Sequence, residues 1–367
     1  MWIVLLAILI AVWLWPEVWE RFVSKKVLVK IDVVNPIVDY EDPVAFHCTV
    51  INTSRLPCPR IRFSIRLPEQ LDSGNPERRE FAEFSTYVMP LQQADVTFEV
   101  NSIKRGFGKL VQAEVLLVDG LGLRRRFETI SLNVGVVVRP KRGDALVVPT
   151  RLLDLVGDIR VKRFYNEDPS LLQGIRPYQD GDSMKYVSWY ATARTQQLMV
   201  KQFGYTTTAR CLIVFAGSEN YVILDYLCER VVHLTEQLLN AGLAVGMYSN
   251  MFDIINRSFF VVPSSAPEQL ETIRTRMGSI EAIPFTSLAN LLYTVPKFAS
   301  SGDMVIVLTE QVSATAAAAL QHVGRSLQSL SVYLLTREGE AIPRLRNIPL
   351  YVETLSDAEQ KLARVGG

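Results

Sequence analysis

The chain has 367 residues, nearly half of them hydrophobic, enough for two or three domains with buried cores. Its 39 Lys and Arg against 38 Asp and Glu leave no charge excess to steer it onto nucleic acid, so no nucleic-acid role is expected. The four cysteines and three histidines are scattered without zinc-knuckle spacing, so neither a metal nor a cofactor is expected.

The amino end is apolar without interruption from residue 2 to residue 15, and four of the five tryptophans fall at Trp2, Trp13, Trp15 and Trp19. Tryptophan favours the membrane–water interface. The run lacks the basic leader and small-residue cleavage site of a signal peptide, and the polar face of an interfacial helix. A membrane anchor helix over 1–23 is expected, touching the membrane through residues 2–19. At about 1.5 Å per residue the apolar run reaches only about 21 Å, against a hydrocarbon core of about 30 Å. No Lys or Arg precedes it, whereas Arg21, Lys25 and Lys26 follow. The positive-inside rule then puts the N-terminus outside and the body in the cytoplasm.

From 24 to 138 the hydrophobic period becomes two. Ile61, Phe63, Ile65 and Leu67 alternate with polar residues, as do Val44, Phe46, Cys48 and Val50, and Val96, Phe98 and Val100. Such runs near 27–35, 43–52, 60–67, 79–89, 94–101, 108–118 and 128–138 imply an immunoglobulin-like β-sandwich. Arg60, Arg62 and Arg66 form a basic stripe on the outward face, read as a solvated strand face. Cys48 and Cys58 are read as two buried thiols, with a cross-strand disulfide as the alternative.

A connector over 139–208 is dense in Arg, Lys, Asp, Gly and Pro. Residues 209–367 then alternate strand and helix. Strands are expected at 211–215, 243–249, 257–262, 304–308, 330–335 and 349–353. Helices are expected at 221–240, closed by Gly242, and at 267–278, 286–299, 313–328 and 356–365. This pattern implies a doubly wound, mostly parallel sheet covered on both faces. The fold class is therefore multidomain, β plus α/β, behind one transmembrane helix.

Within the connector, Arg176, Tyr178, Gly181, Asp182, Trp189, Ala193, Arg194, Leu198, Val200 and Lys201 fit the signature phrase of the bacterial family called domain of unknown function 58. The phrases at 104–108 and 119–125 are also similar to ones that precede the signature in that family. The resemblance covers essentially the whole chain and implies an inner-membrane protein with a von Willebrand factor A-like last domain. Pro177 stands where a Glu is usual and Lys185 where an Arg is usual, which removes a bidentate partner for Arg176 and a guanidinium fork. The A-like fold usually holds a divalent cation on oxygen ligands after its first strand. Here Phe215, Gly217 and Glu219 fall at the leading Asp and the two Ser positions. Thr286 or Ser287 stands for the later Thr, and Glu310 for the later Asp, so the site is degenerate.

Two readings of the signature remain open. Asp180, Asp182, Lys185, Arg194 and Lys201 form a polar network that clamps the connector, with Trp189 as a packed plug. Alternatively the same residues line a partner surface, since Trp, Tyr and Arg dominate binding hot spots. The segment has no His, Cys or recognisable nucleophile phrase. The function expected is a non-catalytic interaction or adaptor protein. The resemblance implies a MoxR-type AAA+ ATPase as its partner, in an envelope, assembly or stress role. The alternatives are a divalent-cation-dependent ligand-binding module through Glu219, Thr286 and Glu310, and a hydrolase using the Asp180–Asp182 region. The sequence assigns no oligomeric state.

Overall fold

Alternation of apolar and polar residues drives the first half of the chain into strands that bury one face each. The computed structural model describes residues 2–23, 26–142, 167–205, 210–257, 260–300, 302–327, 329–336 and 342–354. They divide into two compact units. The first comprises residues 1–141 with 253–257 and 274–281, and the second holds the rest, so most of the expected connector belongs to the second unit.

The first unit opens with helix α1 (Trp2–Val23), long and apolar enough to cross a membrane by length and composition. Nine strands follow: β1 (Val27–Val33), β2 (Ile37–Val38), β3 (Pro43–Asn52), β4 (Cys58–Arg66), β5 (Leu71–Asp72), β6 (Phe81–Val88), β7 (Gln93–Ser102), β8 (Gly106–Val118) and β9 (Arg125–Val138). They form one sheet in the order β1-β3-β7-β5 and another in the order β2-β9-β8-β4-β6. Pairing is antiparallel except where β2 runs parallel to β9. This is an immunoglobulin-like arrangement. The inward positions named from the sequence fill a shared core, except Val96, which is only half-buried. There Phe46 stacks on Phe98, Phe98 on Phe84 and Phe84 on Phe63, at centroid separations of 5.2, 4.5 and 4.6 Å, carrying an aromatic chain from one sheet to the other. Arg60, Arg62 and Arg66 are exposed. Cys48 and Cys58 are free and buried, and burial pushes both thiols up to about 12.

One sequence expectation changes at the amino end. Trp19 is 0% exposed, packs in the sandwich core with Val23, and donates its indole N–H to the Pro57 carbonyl at 3.0 Å. Trp15 packs against the same core. Glu20 pairs with Arg124 and Arg126. The last turn of α1 thus packs on the sandwich through Trp19 and Val23, while Val18 and Phe22 stay exposed. Composition alone could not separate Trp19 from Trp2 and Trp13, which are exposed.

In the second unit a six-stranded sheet has the order β15-β13-β12-β17-β18-β19, built from β12 (Arg210–Ala216), β13 (Ala244–Ser249), β15 (Phe260–Ser264), β17 (Met304–Thr309), β18 (Ser329–Thr336) and β19 (Leu350–Thr354). All neighbours are parallel except β13 and β15. β17 is buried along its whole length and β12 from Cys211 onward, as central strands covered on both faces must be. Two short strands, β14 (Met251–Asp253) and β16 (Ile280–Pro284), pair as a separate ribbon that the periodicity did not announce. A further hairpin joins β10 (Glu167–Pro177) to β11 (Met199–Tyr205).

The helices are α2 (Trp189–Thr195), α3 (Tyr221–Asn240), α4 (Gln269–Ser279), α5 (Leu288–Thr294) and α6 (Ala314–Val323). Asn220 caps α3 by accepting the Val222 and Ile223 N–H groups at 3.0 and 3.4 Å. At its other end Gly242 adopts φ +76°, and the amides of Gly242 and Leu243 bond back to Leu239 and Leu238. That is the Schellman stop that glycine permits. The helix expected over 286–299 is shorter and ends in a 3-10 turn at Val295–Lys297, where Pro296 removes a helical N–H. The helix expected over 356–365 lies outside the described residues.

Candidate functional site

The signature residues fall on the β10–β11 hairpin and the segment it encloses. Tyr178 N–H bonds to Leu198 C=O and Ser188 N–H to Met199 C=O, both at 2.8 Å, so the enclosed segment folds back onto its own strands. A 3-10 turn at Met184–Tyr186 and the two-turn helix α2 fill it. Thr192 Oγ1 accepts the Met199 N–H at 3.0 Å, fastening α2 to β11. Gly181 turns the chain at φ +105°.

Arg176 sits at the root of this fold. Its guanidinium grips the Asp182 carboxylate with two parallel bonds of 2.6 and 2.7 Å and also reaches the Pro177 carbonyl. Asp182 accepts the Gln179 N–H at 2.9 Å. The Arg176 bonds hold the Asp182 carboxyl below the usual carboxylate range. The loss of the Glu at Pro177 therefore does not leave Arg176 without a forked partner, because Asp182 supplies the carboxylate from six residues away.

The clamp expected from the sequence is not what these residues build. Asp180, Lys185, Arg194 and Lys201 are exposed, and the ammonium of Lys185 lies 5.8 Å from the Tyr186 ring. Trp189 is 66% exposed and Tyr190 81%, so Trp189 is not a plug. The reason is local: α2 has seven residues and buries none of them. The small core of the hairpin is closed instead by Val187, Val200 and Phe203, with Tyr186 edge-on to Phe203 at 5.1 Å. What results is a braced turn that shows Met184, Trp189, Tyr190 and Leu198 to solvent beside Lys185 and Arg194.

The degenerate cation positions lie at the ends of β12 and β17 and near β16. Phe215 is fully buried in the core. Asn250, also buried, accepts the Gly217 N–H at 3.2 Å and donates to the Thr286 carbonyl at 2.9 Å, tying these two positions together through neutral groups. A Cβ on Gly217 would lie 2.8 Å from Leu224 and Met251, so apolar atoms occupy that space. Ser287 caps α5 by accepting the Asn290 N–H. Glu219 is exposed and Glu310 half-buried. Among the described residues no group of three or more His, Cys, Asp or Glu side chains is placed to hold a metal ion.

A buried ionic cluster escaped the sequence reading. Arg230 of α3 makes a forked pair with Glu353 of β19 at 2.9 and 2.8 Å, and the Tyr333 hydroxyl donates to the same carboxylate. Burial, then the Glu353 charge and hydrogen bond, push the Tyr333 phenol far up. One turn along α3, His233 is buried with no hydrogen-bond partner at Nε2 among the described residues, and burial lowers its pKa. The 123 positions between Arg230 and Glu353 leave no local signal.

Residues 174–363, just over half of the chain, match the family described as Protein of unknown function DUF58. The chain belongs to this family. The match covers the signature from Gly174 onward and the α/β sheet of this DUF58 protein. No curated protein matches the sequence. Solved structures align with parts of it, among them the three that follow. The CARDB domain of the PF1109 protein from Pyrococcus furiosus, solved with di-metal ions, is 13% identical, with a TM-score of 0.21 over 30% of this chain and 92% of that one. The alkylpurine DNA glycosylase AlkC of Pseudomonas fluorescens, bound to DNA containing an abasic site analog, is 11% identical, with a TM-score of 0.20 over 31% of this chain and 30% of that one. Native alpha-2-macroglobulin from Escherichia coli is 13% identical, with a TM-score of 0.24 over 41% of this chain and 22% of that one. Similarities this low carry no argument about what the DUF58 chain does.

Proposed function

We propose that this DUF58 protein is a non-catalytic adaptor, held at the inner membrane by α1 with its N-terminus outside and its body in the cytoplasm. The α/β unit is von Willebrand factor A-like with a degenerate cation site. The partner we assign, on the family resemblance, is a MoxR-type AAA+ ATPase. The observation that carries the reading is the exposure of Trp189 and Tyr190 side by side on a helix fastened to Met199 through Ser188 and Thr192. Aromatic side chains of this size, left in water beside cationic neighbours, are the residues that dominate protein recognition once covered. Asp182 points the same way: Arg176 engages both of its carboxylate oxygens, so it braces the turn rather than standing ready for proton transfer.

The test is affinity capture of AAA+ ATPases by the full chain in detergent, comparing wild type with Trp189→Ala and Tyr190→Ala. Each truncation is expected to weaken binding by about 2 kcal/mol, roughly 30-fold, with the circular dichroism unchanged. Capture of no ATPase by the wild type, or undiminished capture by both variants, removes the reading.

A further inference from the structure

All the loops at one end of the sandwich converge on the base of α1. β1 and β9 begin there, β3, β6 and β8 end there, and the turns at 53–57, 89–92 and 119–124 close it. Two of these turns are tied to the helix itself. Pro57 accepts the Trp19 indole N–H, and Arg124 pairs with Glu20. The side chain of the buried Asn52 stitches the first two turns together by donating to the Leu56 and Met89 carbonyls at 2.9 and 3.1 Å.

The tips of these turns are apolar and uncovered. Met89 and Leu91 project from one and Leu121 and Leu123 from another, all exposed. Leu91 is held at φ +56°, a left-handed conformation that a bulky residue adopts only when its surroundings impose it. Arg55 and Arg125 are exposed at the same end. The opposite end of the sandwich has an acidic balance, with Glu41, Asp42, Glu69, Glu77 and Glu80 exposed in its turns against Arg78 and Arg79.

We propose that the end of the sandwich that receives α1 is itself a lipid-contacting surface. Leu91, Leu121 and Leu123 enter the interfacial zone of the bilayer, with Arg55 and Arg125 at the level of anionic headgroups. This deepens the anchor reading and rests on it. Two observations select lipid as the occupant. α1 leaves the sandwich from this end, so a membrane that takes up α1 lies against these turns. The uninterrupted apolar run of α1, residues 2–15, also spans only about 21 Å before Pro16 and Glu17, about 9 Å short of a hydrocarbon core of about 30 Å. Drawing the sandwich into the interface shortens the distance that the helix must cover. The acidic end then faces away from an anionic surface, as charge repulsion requires.

Full-length chains carrying Leu91→Cys, Leu121→Cys, Ile10→Cys or Glu77→Cys, each labelled with an environment-sensitive fluorophore, are reconstituted into vesicles of phosphatidylcholine and phosphatidylglycerol with nitroxide-labelled lipid. Blue-shifted emission and nitroxide quenching at 91, 121 and 10, with neither at 77, is the expected result. Quenching at 10 with water-like, unquenched emission at 91 and 121 overturns the lipid-contacting surface and leaves the anchor standing. Blue-shifted but unquenched labels at 91 and 121 mean that protein covers the turns, and overturn it equally. Unquenched labels at 10, 91 and 121 overturn both readings.

Discussion

Trp19 offers the sharpest test of how α1 joins the body. A buried tryptophan removes about 150–250 Å² from water, and at about 25 cal/mol per Å² that amounts to ~4–6 kcal/mol. The hydrogen bond to Pro57 adds about 1 kcal/mol. Because the unfolded chain already hides part of this area, the expected loss for Trp19→Ala is about 3–5 kcal/mol, within the span measured for such truncations. Trp19→Phe keeps most of the contact but leaves the Pro57 carbonyl without its donor, for about 1–2 kcal/mol. The chain has two units, so a single unfolding midpoint would mix them. Amide hydrogen exchange of β3 and β4 in the full chain, held in detergent micelles, reads the sandwich by itself. Protection there is expected to fall about 150- to 5,000-fold in Trp19→Ala. A loss below about 1 kcal/mol would refute the reasoning and return the last turn of α1 to the bilayer.

Further predictions concern the second unit. Glu353→Gln leaves the buried Arg230 guanidinium without its counter-charge and is expected to cost about 3–5 kcal/mol, read as lowered thermal stability and faster exchange of β18. Burial lowers the pKa of His233, so below about pH 6.5 the unfolded chain binds a proton that the folded chain refuses. Stability should therefore fall as pH drops through that range, and His233→Leu should flatten this part of a denaturation-versus-pH profile. Asp182 is shifted down by Arg176, so its brace is present above the ordinary Asp range and lost as pH falls through the lowered value. Asp182→Asn should raise amide exchange over residues 178–188 at neutral pH, mimicking acid, without unfolding the sheet. In β13, a Cβ on Gly246 would lie 2.6–2.8 Å from the ring and backbone nitrogen of Pro263. Gly246→Ala should thus lower the melting temperature by a cost of about 1–3 kcal/mol.

Much of the fold was legible because it is written in short-range pattern. Ile61, Phe63 and Ile65 alternate, and all three are fully buried. The helix read over residues 221–240 has those same bounds, because Asn220 and Gly242 punctuate it. The ribbon of β14 and β16 was not legible, since a three-residue strand has no measurable period. The candidate site was legible as a segment but not as an arrangement. Arg176 and Asp182 were both singled out, yet nothing in their spacing says that they grip each other. Trp189 and Trp19 show the deeper limit. Both are tryptophans near charged residues, one exposed and one buried. What decides between them is the depth of the partner surface: a whole sandwich core receives Trp19, whereas among the described residues a two-stranded hairpin lies beside Trp189.

The cluster of Arg230, Tyr333 and Glu353 also sets a schedule for the growing chain. At synthesis rates of about 5–20 residues per second, the 123 positions between Arg230 and Glu353 take about 6–25 s to emerge. During that interval α3 carries the Arg230 guanidinium without its forked Glu353 partner. β18, which follows earlier in the chain, stands with one edge unpaired until β19 arrives. Pairing of the last described strand and neutralisation of Arg230 are then one event. A chain stalled short of Glu353 would display an open, strongly apolar strand edge, the kind of surface on which nascent chains recruit holding factors or stick to one another.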